Sequence, residues 1–320
     1  MALGSIIVVD LAYTSYLGAR LSSATTRSLQ AEYLLKSAVN VARVMLKEDT
    51  TPEDAQQDSW GTFLSGQAVP PQLLGIGDTA LQISMEITAE ESKFPLRAIV
   101  NSDGSVEKKW RDAAARLFRS FGIDEDGEVD HTRVFPERNF VSEELVALLI
   151  DYMDKDSDSY DDGGSFAPGV ESDIADDLFP NERLKRVGEL ASIPGFTPGR
   201  LQKLTPLITI FGPSNVININ LAHPKVIQSL HEDISEAQTK AILEFRKAQP
   251  FDENNRADEL SAILGDEIYG EIRSMLTVHS KWFQVLAKVD YSTSVYFMRA
   301  YISESNDGEL PVIRSVELFY

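Results

Sequence analysis

The 320-residue chain contains no cysteine, which excludes a disulfide framework, a thiolate zinc site and a thiol nucleophile. Basic charge is scarce. Thirty Lys and Arg stand against 50 Asp and Glu, and the formal charge of −20 repels phosphate backbones and anionic lipid surfaces. The four histidines, His131, His223, His231 and His279, show no metal-ligand spacing, and there is no Gly-rich phosphate loop, nucleophile elbow or zincin motif. Acidic pairs are plentiful enough to mimic a glycosidase couple, but abundance places neither an acid nor a base. These absences argue against an enzyme. Long apolar runs are missing too: the N-terminal stretch Met1 to Val9 ends at Asp10, far short of the roughly 20 residues that span a bilayer. No basic stretch precedes it and no small-residue cleavage site follows, so it is not a complete signal peptide. It reads either as the start of a buried helix or as the tail of a membrane helix, and the chain as written is expected to be soluble.

The apolar content of 43% is enough for a sizeable core, in two domains or in one domain carrying a large insertion. From Leu11 to Glu48 only Gly18 interrupts a helix-permissive stretch, and Ala31, Leu34, Ala38, Val41 and Met45 recur at three- and four-residue steps. This predicts one long N-terminal helix. Pro52, Pro70, Pro71 and several glycines predict an irregular loop over 49–78. Alternation of Leu81, Ile83, Met85 and Ile87 predicts a strand over Ala80 to Thr88, and Leu96 to Val100 reads as its partner, ended by the turn Asn101-Ser102-Asp103-Gly104.

The next 170 or so residues have a helical period. Trp110, Ala113, Ala114, Leu117, Phe118 and Phe121 mark one amphipathic helix; Leu145, Leu148, Leu149 and Tyr152 mark another with Ser142 as its N-cap. Further helices are expected over Leu184–Ala191, Pro198–Thr205, Pro224–Leu230, Ser235–Ala248 and Asp258–Met275. Beyond Thr277 the period returns to two: Phe283, Val285, Ala287 and Val289 share one face, and Ser294–Ile302 and Pro311–Leu318 follow as strands. A two-stranded ribbon cannot bury its apolar face alone, so the early and late strands are expected to share one sheet. The fold class is α+β: a long helix on an antiparallel sheet, with a large all-α domain inserted between strands. The expected divisions are 1–105, 106–276 and 277–320.

Three stretches, in this order, resemble the general secretion pathway protein K family of type II secretion: the N-terminal helix leading to Asp58-Ser59-Trp60 and EESKFPL at 90–96 with Asn101; DYMDKDSDSYDDGG at 151–164; and LASIPGFTPGRLQKLTPLITIF at 190–211 running into VININLAHPKVIQSL at 216–230. The last is similar to the paired helix-hairpin-helix, or SAM-like, region of that family, with Pro250-Phe251 where the family commonly has a Pro-Phe pair. Two departures stand out: Asn218-Ile219-Asn220-Leu221-Ala222-His223-Pro224 replaces the family's Asn-x-Asn-Thr-Ala-Pro, and the apolar leader with its prepilin cleavage site is missing. The resemblance implies a pseudopilin fold and a structural role at the pseudopilus tip, on the periplasmic face of the bacterial inner membrane. It implies that the N-terminal helix packs with minor pseudopilins I and J, and with H, and the face of Leu34, Ala38, Val41 and Met45 is the candidate surface. The tip domain would be free to meet secreted cargo, with membrane contact only through a leader segment.

Between Asp151 and Pro180 ten acidic residues face Lys155 alone, crowding that is costly without a counter-ion. Calcium takes six to eight oxygen ligands in a tolerant geometry, and alternating Asp154, Asp156 and Asp158 can surround one ion. Ser159 stands where an EF-hand loop needs glycine, and Ser165 where it needs the closing glutamate, so the remaining ligands must come from elsewhere. The resemblance carries calcium onto this region, with Asp151, Asp154, Asp156, Asp158, Asp161, Asp162, Asp173, Asp176 and Asp177 as candidates; the alternative is a solvated acidic loop. Asp124, Asp126, Glu128 and Asp130 form a second cluster read as surface. The hairpin also allows a nucleic-acid-binding reading, in which backbone amides grip phosphates, but the charge of −20 opposes it. In the structural reading Ile193, Phe196, Leu201, Leu204, Ile217, Ile219 and Leu221 are core, and Asn218 and Asn220 turn and cap the chain.

Overall fold

The computed structural model describes residues 2–74, 82–132, 134–175, 178–212, 215–291, 294–305 and 308–319. In chain order the elements are helix α1 (Ala2–Glu48), strands β1 (Gln67–Ala68), β2 (Gln82–Ala89) and β3 (Phe94–Pro95), then helices α2 (Lys108–Arg119), α3 (Ser142–Met153) and α4 (Pro198–Leu204). After these come the two-residue strands β4 (Ile208–Thr209) and β5 (Ile217–Asn218), and helices α5 (Pro224–Ser229), α6 (Glu236–Ala248), α7 (Arg256–Leu264) and α8 (Asp266–Ile272). The chain ends in β6 (Leu276–Thr277), β7 (Trp282–Asp290), β8 (Val295–Ser303) and β9 (Val312–Phe319). Two units form: Met1–Thr50, Ser59–Thr88 and Phe283–Tyr320 make one, and Thr51–Asp58 and Ala89–Trp282 the other.

The first unit is a helix on a five-stranded sheet of order β1-β2-β7-β8-β9, so strands from before and after the helical block do lie side by side. Period-two alternation explains why. Ile83, Met85 and Ile87 on β2, and Phe283, Val285, Ala287 and Val289 on β7, are all buried, while the residues between them are partly exposed. Burying such a side chain stabilises by about 1.5–3 kcal/mol, which fixes the register. Ala31, Leu35, Ala38, Val39 and Ala42 form the face of α1 that is covered, and α1 packs on β8. Over 49–74, the described part of the expected loop, the chain is less irregular than its prolines suggest. Trp60, fully buried in a 3₁₀ turn over Ser59–Phe63, donates from Nε1 to Asp49 Oδ2 (2.8 Å) and meets the Phe283 ring edge-on, and β1 pairs with β2. Leu81 of the expected strand lies outside the described residues.

The second unit is helical, tied by two parallel two-residue ladders, β3 with β4 and β5 with β6. Its core joins Trp110, Leu117, Phe118, Leu145, Leu148, Leu149, Phe196 and Phe251. Leu96–Val100 is not the partner strand of β2. Leu96–Ala98 is a 3₁₀ turn, and Phe94, Leu96, Ala98, Ile99 and Val100 are buried together in the helical core, so the stretch from Ala89 belongs with this unit and the expected junctions at 105 and 276 fall inside it. An apolar run covered on every side carries no period to distinguish turn from strand. The expected helix over Asp258–Met275 is broken at Gly265 (φ 89°), and Leu184–Ala191 yields a 3₁₀ turn over Val187–Ser192. Helix α3 starts at Ser142 with Val141 in the cap position. The Ser142 N–H donates to Asp124 Oδ1 (2.7 Å), and the Val141 N–H to Glu144 (3.0 Å).

The second acidic cluster is structural, not surface. Asp124 caps α3. Asp126 pairs with the fully buried Arg200, which also donates to the Gly195 carbonyl and to Asn139. Asp130, nearly buried, accepts from the backbone N–H groups of Thr132, Phe135 and Gly195. Gly195 (φ 80°) is required twice over, by its conformation and because a Cβ there would lie 2.7 Å from Leu145 and 2.8 Å from Phe140.

Candidate metal centre

The acidic loop leaves the end of α3 and returns through a 3₁₀ turn over Glu171–Asp173. Asp151, in the last turn of α3 and fully buried, is its anchor: the carboxylate accepts from the N–H groups of Tyr160 (2.7 Å), Val170 (2.6 Å) and Glu171 (2.9 Å). The fit is close enough that a Cβ at Gly169 would lie 2.1 Å from the Asp151 carboxylate. Burial nonetheless pushes the Asp151 carboxyl upward, against those three amides. Asp151 thus organises the loop by accepting backbone donors, and its oxygens are occupied.

Three other oxygens are not. Asp154 Oδ1, Glu171 Oε2 and Asn181 Oδ1 are buried and, among the described residues, have no hydrogen-bond partner. Asp154 is 5% exposed and Glu171 7%. Burial, then the charges of Asp156, Asp151 and Glu171, push the Asp154 carboxyl up to about 8; burial is also the first cause of the raised Glu171 pKa, with Asp151, Asp156 and Asp158 adding to it. Asn181 (φ 50°) sits in the left-handed region that non-glycine residues rarely adopt, and its Nδ2 donates to the Asp156 carbonyl (2.5 Å), 25 residues earlier. Three buried, unpartnered oxygens next to mutually repelling carboxylates form a donor set of the kind a hard cation takes. Among the described residues no three carboxylates of this loop offer oxygens within 4.8 Å of one another, so a bound ion would have to draw them closer.

The remaining candidates separate clearly. Asp156 and Asp158 lie beside the buried group but are themselves exposed, so they can swing toward an ion. Asp161 is exposed and accepts the Gly163 N–H. Asp162 is held by Arg111 at 2.7 Å, and that hydrogen bond keeps its carboxyl below the usual range; it is turned toward a guanidinium, away from the orphaned oxygens' chemistry. Asp173 is exposed, and Asp176 and Asp177 lie outside the described residues. Glu171 and Asn181 therefore join the candidates. Glu171 was visible only as one acid among ten, and Asn181, being neutral, gave no charge signal at all.

On α1, Ala38 is fully buried within its own unit and cannot meet a partner, because it lies on the covered face with Leu35 and Ala42. Leu34, Val41 and Met45 are half-buried at the margin of that face. The open apolar side chains lie nearer the N-terminus: Tyr13, Tyr16, Leu17, Leu21, Leu29 and Tyr33 are all more than 45% exposed. No described helix is long and apolar enough to cross a membrane.

In the hairpin region, the polar side chains of Asn218, Asn220 and Arg246 are used internally. Asn218 Nδ2 binds Ser280 Oγ (2.9 Å) and the Asp54 carbonyl (3.1 Å), Asn220 exchanges two hydrogen bonds with the Phe251 backbone, and the nearly buried Arg246 donates to the carbonyls of Ile219 and Ala222. This is the turning and capping role expected for the two asparagines.

No curated protein matches the chain. Among solved structures, a chain in the GspK-GspI-GspJ complex of the enterotoxigenic Escherichia coli type 2 secretion system shares the fold, with a TM-score of 0.67 at 15% identity over 93% of this chain and 99% of that one. Models of type II secretion system protein K match residues 92–213 and 217–279, together more than half of the sequence. The chain belongs to the type II secretion system protein K family.

Proposed function

We propose that this minor pseudopilin works at the tip of the pseudopilus, on the periplasmic face of the inner membrane, where α1 packs beside the helices of the I and J pseudopilins. The observation that carries the reading is the division of α1. Its second half buries Ala31, Leu35, Ala38 and Ala42 within its own unit, while its first half presents Tyr13, Tyr16, Leu17 and Leu21 to solvent. Large side chains exposed at i, i+4 and i+8 form a stripe that another helix can cover. The solved complex of a chain with this fold, which contains I and J subunits, supports the choice of partner. The role is structural: the helical unit is what the assembly displays, open to secreted cargo.

Calcium completes the helical unit in this proposal. Asp154, Glu171 and Asn181 would supply buried oxygens, with Asp156 and Asp158 closing the shell from the exposed side, and the ion would neutralise carboxylates that otherwise repel. The test of assembly is co-purification with I and J subunits. Leu17→Glu and Leu21→Glu are expected to abolish it, with the exposed and remote Glu309→Gln as control. Undiminished recovery of I and J by both glutamate variants would overturn the assembly reading.

A further inference from the structure

The EESKFPL stretch places two acids side by side where the chain passes into the helical unit, and the structure puts both inside it. Glu90 is 1% exposed and Glu91 5%. Glu90 is fully engaged: Lys93 Nζ donates to it at 2.6 Å, and the Thr209 hydroxyl donates to its other oxygen. Among the described residues Glu91 has no cation. Its Oε1 accepts the Lys281 N–H (3.0 Å) and its Oε2 the Trp282 N–H (3.3 Å), both in the segment by which the chain leaves the same unit. One carboxylate therefore clasps the incoming and outgoing strands of the insertion, 190 residues apart in sequence.

We infer that Glu91 is a proton-operated latch on the outgoing segment: ionised, it holds the amides of Lys281 and Trp282 together; protonated, it releases one of them. The chemistry is a matter of donors and acceptors. A carboxylate is acceptor-only and satisfies two N–H groups with two oxygens, but a carboxyl group has one oxygen that is itself a donor, and against an N–H it finds no acceptor. The surroundings set the latch within reach of neutral pH. Burial is the main reason the Glu91 carboxyl is pushed up to about 7, the two amides oppose that rise, and the adjacent Glu90 adds to it. The other charged groups around the clasp are already committed: Lys93 to Glu90, and Asp54, whose Oδ2 accepts the Ser280 N–H at 2.6 Å. Strand β5, packed against the turn that carries Glu91, brings only Ile217 and Asn218. The aromatic stack of Trp282 on Phe211 (6.0 Å between centroids) keeps the released segment from unravelling.

The test is amide hydrogen exchange of Lys281 and Trp282 in the full chain, expressed as protection factors so that the intrinsic pH dependence cancels. Protection at one or both amides is expected to fall at least threefold from pH 8 to pH 6, while Glu91→Gln, an isostere of the protonated form, is low and flat across the range. Glu90→Gln serves as the neighbour control and is expected to keep the pH dependence. Constant wild-type protection, or the same fall in Glu91→Gln, would overturn the latch. Should Glu91→Gln fail to fold, the ¹³C titration of the Glu91 carboxyl in the wild type decides: a midpoint coincident with the loss of protection supports the latch, and a separate midpoint overturns it.

Discussion

The substitution Asp154→Asn should make the protein more stable without calcium and unresponsive to it. Asp154 is nearly buried, one of its oxygens has no partner, and its carboxyl titrates near 8 in place of its ordinary 3.8. A folded-state pKa raised above the unfolded one means that the folded chain binds more protons in between, so stability is complete below about 4 and is lost as pH rises through about 8. Roughly four pH units at about 1.4 kcal/mol each give a ceiling of about 6 kcal/mol, and local relaxation leaves about 3 kcal/mol as the working figure. An amide carries no ionisation penalty, so Asp154→Asn recovers about that amount at pH 8.5 and little at pH 5. Calcium works in the opposite direction on the wild type. It replaces the proton, so its apparent affinity rises with pH, up to tenfold per unit between 6 and 8. At 100 times Kd it stabilises by about 2.7 kcal/mol, worth about 5–10 °C in a unit of this size. The assay is thermal unfolding at pH 6 and pH 8.5, with calcium and with chelator, for both proteins. A calcium response that is equal at the two pH values, absent in the wild type at millimolar calcium, or retained in Asp154→Asn would refute the reasoning.

Other expectations follow from the same geometry. Asp151→Ala leaves the Tyr160, Val170 and Glu171 amides without their acceptor and should cost about 3 kcal/mol or more in denaturant unfolding, with calcium binding lost because the loop no longer closes. Gly169→Ala should cost about 2 kcal/mol, since its Cβ would collide with that same carboxylate, and Gly188→Ala, where nothing lies within 4 Å, should cost much less in the same titration. Arg200→Met removes the buried partner of Asp126 and should destabilise by about 3–5 kcal/mol in chemical unfolding.

The sheet was legible because a half-buried strand writes its period into the sequence: Phe283, Val285, Ala287 and Val289 fall on one face by spacing alone, as does the apolar side of the amphipathic α2. Leu96–Val100 was not, because burial on every side erases that period. The acidic loop was visible as charge, but charge does not distinguish a ligand from a brace. Asp151, Asp154 and Asp162 are equivalent aspartates in the sequence. In the fold one accepts three amides, one has an oxygen left without a partner among the described residues and one answers Arg111, and only long-range closure decides among them. Asn181 is a ligand candidate because of where the chain returns, which no local pattern encodes. On α1 the spacing marked Ala31 and Ala38, which are buried, but also Leu34, Val41 and Met45, which are half-buried, while Leu35, Val39 and Ala42 complete the covered face.

The absence of cysteine and the surplus of carboxylates are connected by how the helical unit is held shut. Asp54 reaches Ser280, Glu91 reaches Lys281 and Trp282, Asp130 reaches Gly195, and Asp151 reaches Glu171, each through backbone N–H donors that local helix and strand pairing leave over. These are cross-links between distant segments, and unlike disulfides they respond to protons. The responses divide by environment. Asp124, Asp126 and Asp130 are held below the ordinary range, each by hydrogen bonds that outweigh the desolvation acting on it, so what they contribute is present above about 4 and disappears as pH falls further. Glu91 and Asp154 are raised to about 7 and about 8, so holding them ionised in the fold costs stability on the alkaline side, even though it is the ionised Glu91 that closes the clasp. The calcium-free protein should therefore be most stable near pH 4, with an acid shoulder below it and an alkaline shoulder that runs from about pH 4 to about pH 8. Calcium should flatten the alkaline shoulder only in part, since it acts on Asp154 and not on Glu91, and Glu91→Gln should remove the remainder. An alkaline limb that calcium abolishes completely would mean that Glu91 titrates with the metal loop and is not an independent group.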